Sequence, residues 1–165
     1  MLIRSCKVLL VAAVAVFYAL FAIGNLDDPA SNLAAIGHVM SMDTLSPESG
    51  LTWRALANPL FHHLAFWLIV AWQFLTAAIL LLGAAALWGE RDSGPAFQQA
   101  KGLAVLGLVL GILLYLVGFL TIAGEWFAMW QSKDWNGQQS GFRILLVTGF
   151  VLIVLLLRDD NAADR

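Results

Sequence analysis

The stretch GLAVLGLVLGILLYLVGFLTIA, from Gly102 to Ala123, decides the fold class of this chain. It contains no charged residue, and it exceeds the roughly 20 apolar residues that a helix needs to cross a bilayer. Lipid offers the backbone no hydrogen-bond partner, so such a segment must be helical. Other apolar runs that approach or exceed this length lie at about 8–24, 60–88 and 142–157. The sequence therefore predicts an all-α, four-helix transmembrane bundle.

The composition of the whole chain agrees with a membrane protein. Of its 165 residues, 61% are hydrophobic and only 12% are charged, whereas soluble domains carry about 25% charged residues. The net charge of −2 argues against a nucleic-acid partner. One cysteine, Cys6, excludes a disulfide framework within the chain. No linker composition interrupts the sequence, so we expect one integral membrane domain over 1–165.

The placement of lysine and arginine predicts the direction of the spans. Positive charge collects in cytoplasmic segments of membrane proteins. Here it lies mainly in both tails and in the second connector, as Arg4, Lys7, Arg91, Lys101, Arg158 and Arg165. We therefore expect both termini in the cytoplasm and the first and third connectors outside. The first run resembles a cleavable signal sequence at its basic start, but its length and aromatic residues favour a retained helix.

Glycines in the third span favour close helix packing. Gly107 and Gly111 form a G-x-x-x-G pattern, and Gly118 follows on the same face two turns later. Such a face lets helix backbones approach closely. The approach could occur within the bundle, against a membrane-protein partner or in a homo-oligomer, although glycine is also common in membrane helices generally.

The first connector, residues 25–59, is too long for a plain loop. Asp28 can cap a helix, and Pro29 suits the first helical position because its missing N–H costs nothing there. Leu33, Ile36 and Met40 then recur at helical spacing. We predict a short amphipathic helix that lies on the outer membrane surface or over the bundle.

The third connector, GEWFAMWQSKDWNGQQSGFR at 124–143, concentrates aromatic and polar side chains. Its tryptophans suit the headgroup zone, where the ring is half buried and its N–H can bond. Glu125 needs a partner beside the hydrocarbon, and Arg143 enters from the same side. We expect a Glu125–Arg143 ion pair between the third and fourth helices. The alternatives are that Glu125 faces a site for a headgroup, a quinone or a partner, or that both side chains simply meet water.

Four stretches also resemble a known family: residues 25–44, WRAL at 53–56, FQQAK at 97–101 and the third connector. Together they are similar to bacterial small integral membrane proteins of domain of unknown function 2165 (DUF2165), over nearly the whole chain. The resemblance implies a multi-pass protein of the bacterial inner membrane and implies no activity. In that pattern the second span often carries an acidic residue near the position of Gln73, so no proton-handling role is expected there.

Two functions of different classes fit the external face. The candidate residues on it are Glu125, Trp126, Trp130, Trp135, Asn136, Arg143, His38, Asp43 and Arg54. The favoured function is a non-enzymatic accessory protein that docks a membrane complex or lipid through this face. The alternative is a redox or quinone-handling protein with a mostly apolar outer-leaflet pocket.

The sequence contains no motif that indicates an enzyme or a metal-binding protein as a third class of function. The chain has no HExxH and no nucleophile or nucleotide motif. His62 and His63 are adjacent and point about 100° apart on a helix, so they do not readily share a metal. Asp43 is interpreted as a cap or turn residue. We therefore predict no metal and no cofactor, with quinone or haem as the minor possibilities.

Overall fold

The computed structural model describes residues 1–46 and 48–159. Regular structure in these residues is entirely helical, which confirms the expected fold class. The α-helices are α1 (Leu2–Asp27), α2 (Pro29–Ser41), α3 (Pro59–Gly89), α4 (Gly94–Ala100), α5 (Gly102–Leu113) and α6 (Gln138–Leu156). A π-helix, Leu114–Trp126, continues α5 and is called the π segment, and 3₁₀ turns occupy Thr52–Arg54 and Met129–Gln131.

Four helices within the described residues are long and apolar enough to cross a membrane: Leu2–Asp27, Pro59–Gly89, Gly102–Trp126 and Gln138–Leu156. They contain the apolar runs of the sequence, apart from Leu157, and most extend past the predicted ends. The extension has a simple cause. A helix continues through polar residues for as long as its backbone hydrogen bonds are made, so the hydrocarbon boundary does not end it.

The bundle has two ends with different contents. One end carries the start of α1, the end of α6 and the second connector, and we call it the termini face. The other end carries α2 and the third connector, and we call it the connector face. Arg165 lies outside the described residues, so its place at the termini face stays a prediction.

Helix α2 runs along the first turns of α3. Asp28 accepts a hydrogen bond from Ser31 N at 3.2 Å and Pro29 begins the helix, as the capping pattern predicts. Near the end of α1, before the chain passes into α2, Asn25 Nδ2 donates to Gln73 Oε1 at 2.7 Å. Within α2, Gly37 lies against the His62 ring of α3. From the first contact to the second, the residue number rises from 25 to 37 on one side and falls from 73 to 62 on α3. Helix α2 therefore packs antiparallel to the start of α3.

Small residues let the central helices meet closely. A Cβ on Gly83 of α3 would lie 2.6 Å from Ala104 N of α5. A Cβ on Gly107 would lie 2.7 Å from Leu80 Cγ, and one on Gly111 would lie 2.5 Å from the Tyr18 hydroxyl. Gly107 and Gly111 therefore face α3 and α1 inside the bundle. Gly118 does not show the expected close packing, because the only atom of the described residues within 4 Å of a Cβ there would be Leu114 Cδ1 of the same span, at 3.8 Å.

The third span changes neighbours along its length. Its first half, α5, packs against α3, and Trp72 Nε1 of α3 donates to Leu110 O at 2.9 Å. Its second half, the π segment, packs against α6, where the ring of Phe119 fills the space beside Gly137 and Gly141. The span thus leaves α3 as it approaches the connector face. A wedge-shaped space opens between α3 and the π segment.

A buried ionic cluster closes the termini face. The carboxylate of Asp159 lies 2.8 Å from Lys7 Nζ and 2.6 Å from Lys101 Nζ. Both ammonium groups also donate to Leu157 O, at 2.7 and 2.8 Å. The side chains of the three charged residues are 2–5% exposed. The cluster ties the end of α6 to α1 and to the start of α5.

Candidate functional site

The third connector folds inward over the bundle at the connector face. Phe127, Ala128 and Met129 are buried. Phe127 and Ala128 form a cluster with Met42 of the first connector. Thr44 Oγ1 also donates to the buried Ser132 Oγ at 2.8 Å, which joins the two connectors directly. The third connector therefore does not lie flat among the headgroups over its whole length.

Two residues of this cluster have strained backbone. Met42 has φ 53° and Ala128 has φ 50°, and both are in the left-handed region. That region costs an L-residue about 1–2 kcal/mol. Strain of this kind persists only where the surroundings enforce it, and it concentrates at functional sites. The two strained positions mark the place where the connectors are forced together.

A cavity of about 420 Å³ lies in the wedge beneath the third connector. Small-molecule pockets typically have volumes of about 300–1,000 Å³. The walls come from one face of α2, from α3, from the π segment and from the third connector. The lining includes Ile36, Gln73, Tyr115, Gly118, Trp135 and Asn136.

The cavity has an apolar body with polar groups at its two ends. Gln73 and Tyr115 are buried, and they are the lining residues of α3 and the π segment that lie near the inner end of the cavity. Along α3, Gln73 lies about 21 Å from the Pro59 end at the connector face and about 24 Å from the Gly89 end. Even the inner end of the cavity is therefore slightly nearer the connector face. The exposed side chains of Asp134 and Asn136 line the other end. An amphiphilic molecule could thus be contacted at both ends.

Three of the predicted candidates meet beside this cavity. His38 Nδ1 lies 2.9 Å from Asp43 Oδ2, and the His38 ring stacks on Trp135 with 4.6 Å between ring centroids. Trp135 in turn lines the cavity, next to Asn136. Asp43, interpreted above as a cap or turn residue, bonds the imidazole of His38. This group fastens α2 to the third connector at the cavity mouth.

A second group of candidates forms around Arg54. Its guanidinium carbon lies 5.3 Å from the ring centroid of Trp53 and 5.0 Å from that of Trp126. Arg54 Nη1 donates to Trp126 O at 3.4 Å. Arg54 is not among the cavity-lining residues. The external face therefore divides into two separate clusters.

The expected Glu125–Arg143 ion pair is wrong. Ion pairs between described residues do not include it, and Arg143 donates instead to Gln139 O and Ser140 Oγ of its own helix. The reason is the point along their axes at which the π segment and α6 are in contact. Gly124 packs against Gln138, so Arg143 lies about 7 Å farther along α6. Glu125 is exposed, and Trp130 is half exposed outside both clusters.

The sequence offered an outer-leaflet pocket only as an alternative, and it did not identify Gln73 and Tyr115 as residues that line the cavity. Gln73 and Tyr115 were visible as uncharged polar residues within spans, but nothing in their spacing placed them together. The π segment, whose wide turns often occur at functional sites, has no signature in the sequence. Helix-length apolar patterning alone therefore could not reveal the space between α3 and the π segment.

Comparison with known proteins places the chain among membrane proteins. A family model described as predicted small integral membrane protein (DUF2165) matches residues 3–158. No curated protein and no solved structure matches the chain.

Proposed function

This chain belongs to the DUF2165 family of predicted small integral membrane proteins, and from that premise we propose that it binds a lipid-soluble small molecule. The observation that carries the proposal is the cavity of about 420 Å³ between α2, α3 and the π segment. Its walls are mostly apolar, with a few polar groups in defined places. This is the usual composition of a small-molecule site.

The polar groups indicate the chemistry of the ligand. The Tyr115 hydroxyl can donate and accept a hydrogen bond, and the Gln73 amide can do both. Gln73 Oε1 already accepts from Asn25, and the Gln73 side chain also bonds the Tyr115 hydroxyl, so the pair offers its remaining amide N–H and the hydroxyl O–H to a ligand. A molecule with an apolar body and a carbonyl or hydroxyl oxygen fits this arrangement. A quinone belongs to that class, and so do several other membrane-soluble compounds.

We further propose that the connector face is outside and that both termini are in the cytoplasm, as expected for an inner-membrane protein. The excess of lysine and arginine at the termini face supports this direction. In this orientation the cavity lies toward the outer leaflet. A ligand would then enter from the lipid or from the outer surface.

A docking role is the second candidate, and the exposed tryptophans of the connector face favour it. Trp53, Trp126 and Trp130 are all about half exposed or more. Exposed tryptophan suits lipid headgroups and is frequent at protein interfaces. In this case the protein would be a non-enzymatic accessory protein, and the cavity would stay empty.

Filling the cavity tests the first candidate against the second. Gly118→Leu places a side chain in the cavity, and the open space at Gly118 means that little has to move. We expect the amount of co-purifying small molecule to fall at least about tenfold, which corresponds to about 1.4 kcal/mol of binding. Thermal stability should not fall, because leucine favours a helix over glycine. Mass spectrometry of organic extracts from detergent-purified protein measures the loss.

Gly149→Leu is the matched control. Gly149 lies in α6 with nothing within 4 Å of its Cβ position, and it does not line the cavity. The control should retain the same molecules as the parent protein. If both variants retain them equally, or if only a protein partner co-purifies, the cavity is not the site and the docking role is favoured.

A further inference from the structure

We propose that Arg54, held between Trp53 and Trp126, binds the phosphate group of a membrane phospholipid. This site is separate from the cavity and does not depend on the ligand proposed for it. The side chain of Arg54 is fixed by aromatic rings, and the ion pairs among residues 1–46 and 48–159 leave its positive charge without an anion.

The two indoles hold the guanidinium in place. The rings of Trp53 and Trp126 meet edge-on, with centroids 5.9 Å apart and planes at 76°. The guanidinium carbon of Arg54 lies within 5.3 Å of both centroids. At these distances each ring attracts the cation. The group is therefore ordered before any ligand binds, which reduces the entropy cost of binding.

Arg54 also stabilises the end of the π segment, but this role leaves most of its donors unused. Nη1 donates to Trp126 O at 3.4 Å. A guanidinium has five N–H donors, and Arg54 Nε is enclosed by protein with no hydrogen-bond partner among the described residues. Ion pairs between residues in the described part of the chain do not include Arg54. The partly enclosed charge is thus uncompensated, and a phosphate on its outer edge would offset the cost.

The position of this group matches the level of lipid phosphates. Trp126 ends the third membrane-spanning helix, and headgroups lie immediately beyond the hydrocarbon. The Trp53 side chain is 72% exposed. Hydrogen bonds of the described residues do not use the indole N–H of Trp53 or of Trp126. Arginine suits phosphate because its planar fork can bind two oxygens at once.

The test is native mass spectrometry of the full-length protein in detergent, titrated with a phosphatidylglycerol and with the diacylglycerol of the same chains. We expect phosphatidylglycerol to bind at least about tenfold more tightly than diacylglycerol. Arg54→Gln should remove this preference for phosphatidylglycerol over diacylglycerol. Arg54→Lys should lose part of it, because lysine keeps the charge but not the planar fork. Trp53→Phe should weaken binding by a smaller factor.

Arg143→Gln is the matched control, because Arg143 lies near the same face but bonds to its own helix. It should bind phosphatidylglycerol like the parent protein. Gly118→Leu should do so as well, which separates this site from the cavity. Equal binding by folded Arg54→Gln, or equal binding of diacylglycerol, would overturn the proposal. Displacement of the lipid by millimolar inorganic phosphate would also overturn it, because the site would then take a soluble anion.

Discussion

Asp159→Asn is expected to lower the free energy of unfolding by about 3 kcal/mol, the cost of breaking a buried ion pair at one partner. In the parent protein the Asp159 carboxylate neutralises the ammonium groups of Lys7 and Lys101, at 2.8 and 2.6 Å. The variant would leave these two cations buried side by side, with Leu157 O as their shared acceptor. Like charges in such surroundings repel each other with little screening by water.

Reversible unfolding in mixed micelles measures this change. Asp92→Asn is the matched control, because Asp92 is an exposed residue of the second connector, and it should alter the unfolding free energy by less than about 0.5 kcal/mol. The triple variant Lys7→Met, Asp159→Leu and Lys101→Met should recover most of the loss, since apolar replacements of a whole buried cluster are often tolerated. An Asp159→Asn protein as stable as the control would contradict the expectation.

The same cluster predicts how stability depends on pH. Burial alone would raise the pKa of Asp159, but hydrogen bonds from Lys101 and Lys7 outweigh it and hold this pKa below its usual range. A lowered pKa in the folded state contributes stability above the unfolded value, about 3.9. That contribution is lost as the pH falls through the folded value. The difference between the parent protein and Asp159→Asn should therefore be constant from about pH 7 to 5 and shrink below about pH 4.

Gly83→Ala is expected to cost about 3 kcal/mol, the upper part of the usual range for overpacking. The new Cβ would lie 2.6 Å from Ala104 N and 2.7 Å from Ala104 Cα. Backbone atoms cannot rotate away as a side chain can, so α3 and α5 would have to separate. This separation would also weaken the bond from Trp72 to Leu110 O. The helix propensity of alanine, better than that of glycine by about 1 kcal/mol, offsets only part of the cost.

Two other glycine variants make this prediction specific. Gly149→Ala has open space around it and should be neutral or slightly stabilising. Gly107→Ala should fall between the two, because its nearest contacts are side-chain atoms, Leu80 Cγ at 2.7 Å and Cδ2 at 2.8 Å, and the nearest backbone atom, Leu80 N, is 3.2 Å away. Thermal unfolding of the three purified variants gives the order. If Gly83→Ala unfolds at the same temperature as Gly149→Ala, the close approach of α3 and α5 is not a source of stability.

The sequence alone was enough to predict the four-helix architecture and several local features. A charge-free run longer than the hydrocarbon thickness has one stable structure in lipid, so the spans followed from composition. The start of α2 followed from Asp28 and Pro29, because capping involves residues within one turn. These are local properties, and neighbouring residues in the chain suffice to decide them.

The sites were decided by the tertiary structure. The Glu125–Arg143 pair failed because the level at which the π segment meets α6 depends on packing at Phe119. The cavity exists because one span leaves α3 and joins α6, which no hydropathy pattern records. Lys7 and Asp159 lie at opposite ends of the chain, and only helix packing brings them within 2.8 Å. Apolar patterning determines which segments enter the membrane, while side-chain shape and contacts between distant residues determine the spaces and charges left between them.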